Sequence, residues 1–195
     1  MDETAHAATE APLPLRPVAW LPLVSGGLVA VLYALTLCPG VFPGQASSWY
    51  AAAYRLRSWG PGEHPLWQMY VSLWQRLPGG DTPWGLGASS ALCAVAATVL
   101  LYRYVTRWTL AHIRAEQKDC AEAARPFDVP AAAAAGVFAA LVCATSLPVW
   151  HAASRLGPEA LSLLLALLGF TALQAFVESR RLYPALALSF LCGLA

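Results

Sequence analysis

The chain has 195 residues, of which 58% are hydrophobic and 12% charged, and its 12 basic and 11 acidic residues leave a net charge of +1. A soluble domain carries about a quarter charged residues, so this composition excludes an ordinary soluble protein. No basic run points to nucleic acid, and none is expected as a partner.

The first 17 residues form a leader with Asp2, Glu3 and Glu10 and a single basic residue, Arg16. Charge-free runs follow at Val18–Leu37, Thr82–Tyr102, Val129–Trp150 and Ala160–Val177, of 20, 21, 22 and 18 residues. About 20 apolar residues of helix cross the roughly 30 Å hydrocarbon layer, and these runs lack the polar face that a soluble helix would show. The expected fold is therefore all-α, a polytopic membrane helix bundle with spans near 18–37, 82–102, 129–150 and 158–177. A fifth apolar run, 182–195, is too short to span, which marks the chain as the N-terminal part of a longer one. The first run reads as a retained signal-anchor, because its leader is acidic and its apolar stretch is longer than a signal core. The residue before Cys38, Leu37, is too bulky for a lipoprotein cleavage box.

The five cysteines (Cys38, Cys93, Cys120, Cys143 and Cys192) are odd in number and lack CxxC spacing. They read as buried thiols rather than a disulfide framework or a metal site. No cofactor is expected and no divalent metal is indicated.

Basic residues in short loops stay on the cytoplasmic side. With the N-terminus inside, Arg16, Arg103, Arg107, Arg114, Lys118, Arg125, Arg180 and Arg181 lie inside, against Arg55, Arg57, Arg76 and Arg155 outside. That balance favours a cytoplasmic N-terminus, a cytoplasmic loop at 103–128 and an outer juxtamembrane loop at 38–81. Within the outer loop Leu66, Tyr70, Leu73, Trp74 and Leu77 recur at helical spacing. They predict an amphipathic helix lying in the membrane interface, where tryptophan and tyrosine keep one edge wet. Trp49, Ala53 and Leu56 repeat the pattern more weakly before the break at "GPGEHP".

The order of "LCPGVFPG", "SSWYAAAYRL", "HPLWQMYVSLWQRLP", "LGASSALCAVAATVLLYRYV" and "SLPVWHAASRLGPEALSLLLALL" resembles the N-terminal half of bacterial multi-pass proteins similar to protein O-mannosyltransferases, in the glycosyltransferase C superfamily. The resemblance runs from about Leu35 to Ala195 and rests on loose patterns. It implies a glycosyltransferase C-like bundle in the bacterial inner membrane, in contact with membrane lipid. That bundle would transfer a sugar from a polyprenyl-phosphate sugar to a hydroxyl of a protein or glycan acceptor. The family's first outer loop carries acids; here Gln45 stands where its Asp is expected and Ser48 at about its Glu. The family's aromatic, Ala and Glu at the fourth span match Trp150, Ala153 and Glu159.

Such a transfer needs a base for the acceptor hydroxyl and cationic groups for the departing phosphate. The candidate catalytic residues are Glu159, His64 and Glu63. Candidate substrate-binding residues are Gln45, Arg55, Arg57, His151 and Arg155. His151, Arg155 and Glu159 recur at four-residue spacing and would share a face of an unbroken helix, although Pro158 interrupts it. Each candidate has a structural reading beside the chemical one. Glu159 after Gly157-Pro158 also suits a helix N-terminus, and it could pair with Arg155; interfacial arginines meet ordinary lipid headgroups. A non-catalytic binding or assembly protein that keeps the fold is the alternative favoured by Gln45 and Ser48. A transporter would need polar residues at mid-membrane in several spans, which are lacking here.

Overall fold

The computed structural model of the chain describes residues 20–41, 43–56, 64–119, 125–179, 183–184, 186–187 and 189–190. The leader 1–17, the candidates Arg57 and Glu63, and much of the fifth apolar run lie outside them. The described residues form seven helices and no strand: α1 Leu21–Thr36, α2 Gln45–Ala53, α3 Pro65–Trp74, α4 Pro83–Asp119, α5 Asp128–Thr145, α6 Leu147–Ser154 and α7 Glu159–Ser179. Segments of α4, α5 and α7 are long and apolar enough to cross a membrane, and α1 is a shorter apolar helix. The protein is a helical membrane bundle.

Several helix starts follow from proline, whose missing N–H costs nothing in a first turn. Pro22, Pro65 and Pro148 lie in the first turns of α1, α3 and α6. At the start of α4, Thr82 Oγ1 accepts the Gly85 N–H at 3.0 Å, so Thr82 supplies the cap.

Two boundaries differ from the hydropathy reading. The apolar run ends at Tyr102, yet α4 continues to Asp119. Its tail is rich in Arg, Ala, Glu, Gln and Lys, which favour helix without favouring lipid. Thirty-seven residues make a helix about 55 Å long, well beyond the hydrocarbon thickness. The third run instead breaks at Ser146, which is extended (φ −62°, ψ 139°) between α5 and α6. Pro148 two residues on cannot donate into the preceding helix, so the chain turns there.

The bundle is assembled on α4, which packs against α1, α5, α6 and α7. The α1 helix runs antiparallel to it: Gly26 faces Val99, and Leu37 faces Gly87. Small residues permit this closeness, as in membrane helix pairs generally. Ala94, Ala132, Ala133, Ala140, Ala144, Ala153 and Ala160 are buried. The buried phenol of Tyr33 donates to the Ala144 carbonyl at 3.0 Å, and Trp150 Nε1 donates to Thr36 Oγ1 at 3.1 Å. Where α5 crosses α4, Gly136 lies on Thr106 and Tyr102, and the buried Thr106 Oγ1 has no hydrogen-bond partner.

Opposite effects are expected at two glycines. A Cβ at Gly136 would sit 2.9 Å from the Tyr102 carbonyl oxygen, whereas one at Gly27 would meet nothing within 4 Å. Gly136→Ala should destabilise the detergent-solubilised protein by about 1–3 kcal/mol. Gly27→Ala should be neutral or stabilise it by up to about 1 kcal/mol, through helix propensity. Thermal unfolding of the two variants side by side tests this.

Candidate functional site

At one end of the bundle α2 and α3 close over the start of α4 and the α6–α7 junction. Their inner faces form an aromatic cluster of Trp49, Tyr50, Trp67 and Val71 on Leu86 and Leu156, flanked by Tyr70 and Trp74. The Trp49 and Trp67 rings meet edge to face at 5.0 Å. The inward face of α3 is therefore Trp67, Tyr70, Val71 and Trp74; of the predicted interfacial stripe, Tyr70 and Trp74 pack inward while Leu73 and Leu77 are exposed. The helix is apolar on both sides, one packed on the bundle and one left at its surface.

The polar tips of this cluster hold it to α4. Tyr54 donates to the Asp81 carbonyl at 2.7 Å, Tyr50 to Pro83 at 3.2 Å, and Tyr70 to Ser89 at 2.9 Å. Trp74 Nε1 donates to Gly85 at 2.8 Å, and Gln75 Nε2 ties α3 to the Ala53 carbonyl of α2 at 3.0 Å. On the other side Ser90 Oγ accepts the Gly157 N–H and donates to the Gly157 carbonyl, both at 3.4 Å. The Cys38 N–H donates to the Ser154 carbonyl at 3.5 Å. Both connections into this end are thus pinned by hydrogen bonds to their main chain.

Burial, then the neighbouring Cys38 and Tyr54, pushes the Tyr50 hydroxyl from 10.0 up to about 12. Burial also raises Tyr54, and raises Tyr70 strongly.

On the outer side of this lid lies an open groove of about 1170 Å³, lined by Arg55, Leu66, Gln68, Met69, Leu73 and Arg76 among others. A smaller cavity of about 240 Å³ shares Arg55 and Arg76. The two arginines occupy equivalent places, each one residue past the C-cap of its helix, Tyr54 for α2 and Gln75 for α3. Cations are favoured there by the exposed carbonyls. Arg55 closes α2 in a Schellman turn, with its N–H on the Ala52 carbonyl and Leu56 N–H on Ala51. Its φ is +58°, in the left-handed region where glycine usually serves.

The sequence candidates separate on this geometry. Arg55 lines the groove. His64 caps α3 with φ +36° and lies 6.0 Å, ring to ring, from Trp49. Gln45 begins α2, exposed, and its carbonyl accepts the Ser48 hydroxyl at 2.7 Å. The row of His151, Arg155 and Glu159 does not form. His151 ends in α6 beside Trp150, Arg155 is extended (φ −130°, ψ 155°), and Glu159 starts α7. The Glu159 carboxylate is exposed and folds over Gly157 at the helix N-terminus. Arg76, which the sequence candidates do not include, lines the same groove as Arg55; the signal for it in the sequence is that each arginine stands just past a short aromatic helix.

Among the described residues no three His, Cys, Asp or Glu side chains converge as a metal site. Cys38, Cys93 and Cys143 are free thiols.

Residues 46–195 match the family model of the protein O-mannosyl-transferase TMEM260 N-terminal domain. The chain belongs to that family. The match begins in α2, one residue past Gln45, and takes in the rest of the lid, so the aromatic cluster and the groove both fall inside the family domain. No curated protein and no solved structure gives a match. The protein is thus a membrane protein of O-mannosyltransferase-like kind.

Two outcomes are expected. Trp67, only 2% exposed, anchors the lid, and Trp67→Ala should cost about 3–5 kcal/mol, with limited proteolysis cutting first between α2 and α3. The neutral phenol is the form that the fold favours at Tyr50. Its contribution should be complete below pH 10.0 and be lost as pH rises from there to about 12. Tyrosinate absorbance and unfolding followed together above pH 9, in wild type and Tyr50→Phe, check that window.

Proposed function

We propose that the lid end of the bundle is the donor side of a membrane glycosyltransferase site. The reaction moves a sugar from a polyprenyl-phosphate carrier to a hydroxyl acceptor, at the outer face of the membrane. The observation that carries this reading is the groove between Arg55 and Arg76, whose floor is apolar at Leu66, Met69 and Leu73. A lipid-linked sugar phosphate has that same duality, an anion joined to a long hydrocarbon.

In this reaction the acceptor oxygen bonds to the sugar C1 as the bond from C1 to the phosphate oxygen breaks. The hydroxyl proton passes to a base, and the carrier phosphate departs with the bonding electrons. Arg55 and Arg76 offset the charge that grows on that phosphate. His64, at the edge of the lid, and Glu159, at the head of α7, are the described groups able to take the proton. Arg155 and His151 flank the junction that carries Glu159, and Gln45 opens α2 as a neutral donor. The basic-residue balance in the loops supports placing this end outside.

A second reading, a binding protein of the same fold, is favoured by one observation. Gln45 and Ser48 stand where acids are expected, the Ser48 hydroxyl donating to the main-chain carbonyl of Gln45, and an amide takes no proton.

Membranes containing the full-length chain should release sugar from labelled polyprenyl-phosphate sugars, and Arg76→Gln and Glu159→Gln should each lower turnover at least about tenfold, near 1.4 kcal/mol. Arg55→Gly should lower turnover likewise while leaving thermal stability within about 1 kcal/mol of wild type or raising it, since glycine relieves the positive φ. Donor binding without turnover would move the protein to the second reading. Full turnover in both arginine variants would remove the groove from the reaction.

A further inference from the structure

The C-terminal half of α4 takes no part in the site described above, and its cations are not random on its surface. At about 100° per residue, Arg107, Arg114 and Lys118 fall about 40°, 20° and 60° round the helix from Arg103. Four cations thus share an arc of about 60° over roughly 22 Å of helix, and all four are exposed. No run of basic residues announces this; the stripe exists because the chain stays helical past Tyr102.

Contacts within the protein occupy other faces of the helix. Tyr102 and Leu110 are buried, and Tyr102 and Thr106 lie against Gly136 of α5. On the side away from the stripe, Trp108 stacks on His112 at 5.8 Å, and His112 lies 3.4 Å from Glu116. The carboxylate of Asp128 accepts from Gln117 Nε2 at 2.7 Å and from the Arg125 N–H at 2.8 Å, with Arg114 in its field.

The level of the stripe points to its partner. Tyr104 lies 6.3 Å from Phe170, and α7 stays apolar to Val177, about 10 Å further along. Gly136 faces Tyr102 and Thr106, and α5 stays apolar back to Val129, again about 10 Å. Arg103 and Arg107 therefore stand beside lipid-compatible stretches of both neighbours, at the margin of the acyl layer. A guanidinium at that depth is costly unless it reaches an anion. Because α1 is antiparallel to α4 with Gly26 at Val99, Trp20 comes to the same level. Trp20 and Trp108 are 56% and 60% exposed, and indoles concentrate at the headgroup layer.

We propose that this stripe docks anionic phospholipid: Arg103 and Arg107 grip headgroup phosphates of lipids packed on the bundle, and Arg114 and Lys118 extend the attracting field. The site is separate from the lid groove and does not depend on the sugar-transfer reading.

The test is lipid retention by the full chain purified in mild detergent with equal amounts of dioleoylphosphatidylglycerol and dioleoylphosphatidylcholine, counted by native mass spectrometry. The wild type should keep phosphatidylglycerol about fivefold or more over phosphatidylcholine. That ratio should fall towards one in high salt and in the variant Arg103→Gln/Arg107→Gln/Arg114→Gln/Lys118→Gln. Arg103→Lys/Arg107→Lys/Arg114→Lys should keep most of the preference, and the salt titration needs no variant at all. Equal retention of the two lipids by the wild type, or a preference indifferent to salt, overturns the proposal. Stripe-dependent binding of transfer RNA with no lipid preference would overturn it too and assign the stripe to nucleic acid.

Discussion

The end of the bundle where the site lies depends on a set of aromatic side chains that are apolar in body and polar at the tip. Tyr50, Tyr54, Tyr70 and Trp74 each spend their one donor on a carbonyl between Asp81 and Ser89, while the rings of Tyr50, Tyr70 and Trp74 pack in the cluster around Trp67. Each bond contributes only about 1 kcal/mol net, but a buried donor left unmade would cost more. The arrangement therefore fixes register as well as position. If α3 rotated by one residue, Tyr70 and Trp74 would lose their acceptors together. Two helices of 9 and 10 residues, too short to be stable alone in water, are thereby held as a rigid lid on a long one.

Much of the fold was legible in the sequence because lipid imposes a simple rule. Charge-free runs of spanning length have few alternatives, and the candidate spans lie in α4, α5 and α7. What escaped is what hydropathy does not encode. Helix propensity persists where hydropathy stops, so the tail of α4 was read as loop. The turn at Ser146 lies within an apolar run and is marked only by Pro148. For α3 the spacing of Leu66, Tyr70, Leu73, Trp74 and Leu77 gives an interfacial stripe; that Trp67 and Val71 are buried beside Tyr70 and Trp74 follows only from tertiary packing.

The candidate groove residues were legible in part for a related reason. Arg55 could be named because cations at a membrane surface invite an anion, but its counterpart Arg76 becomes visible only when the two helix ends are side by side. The apparent row from His151 to Glu159 assumed a continuous helix; the extended backbone at Arg155 separates its members. The buried junction that replaces it, with Leu156 in the aromatic cluster and Gly157 on Ser90, links the head of α7 to the lid. Glu159 is thus positioned by the same packing that positions the groove, although it does not line it.

The groove's two arginines also carry a constraint on what they would hold. Each stands at the C-terminal end of its own helix, where the exposed carbonyls act as roughly half a negative charge. Two guanidiniums against two such ends leave a field of about one positive charge. A sugar joined to a lipid through one phosphate is a monoanionic diester, and it matches that field. A pyrophosphate-linked or nucleotide-linked donor would bring further negative charge, and among the described groove-lining residues only these two arginines are basic. The same helix ends that make the arginines easy to place thus limit the charge they can balance, which supports a monophosphate carrier over an activated nucleotide as the proposed donor.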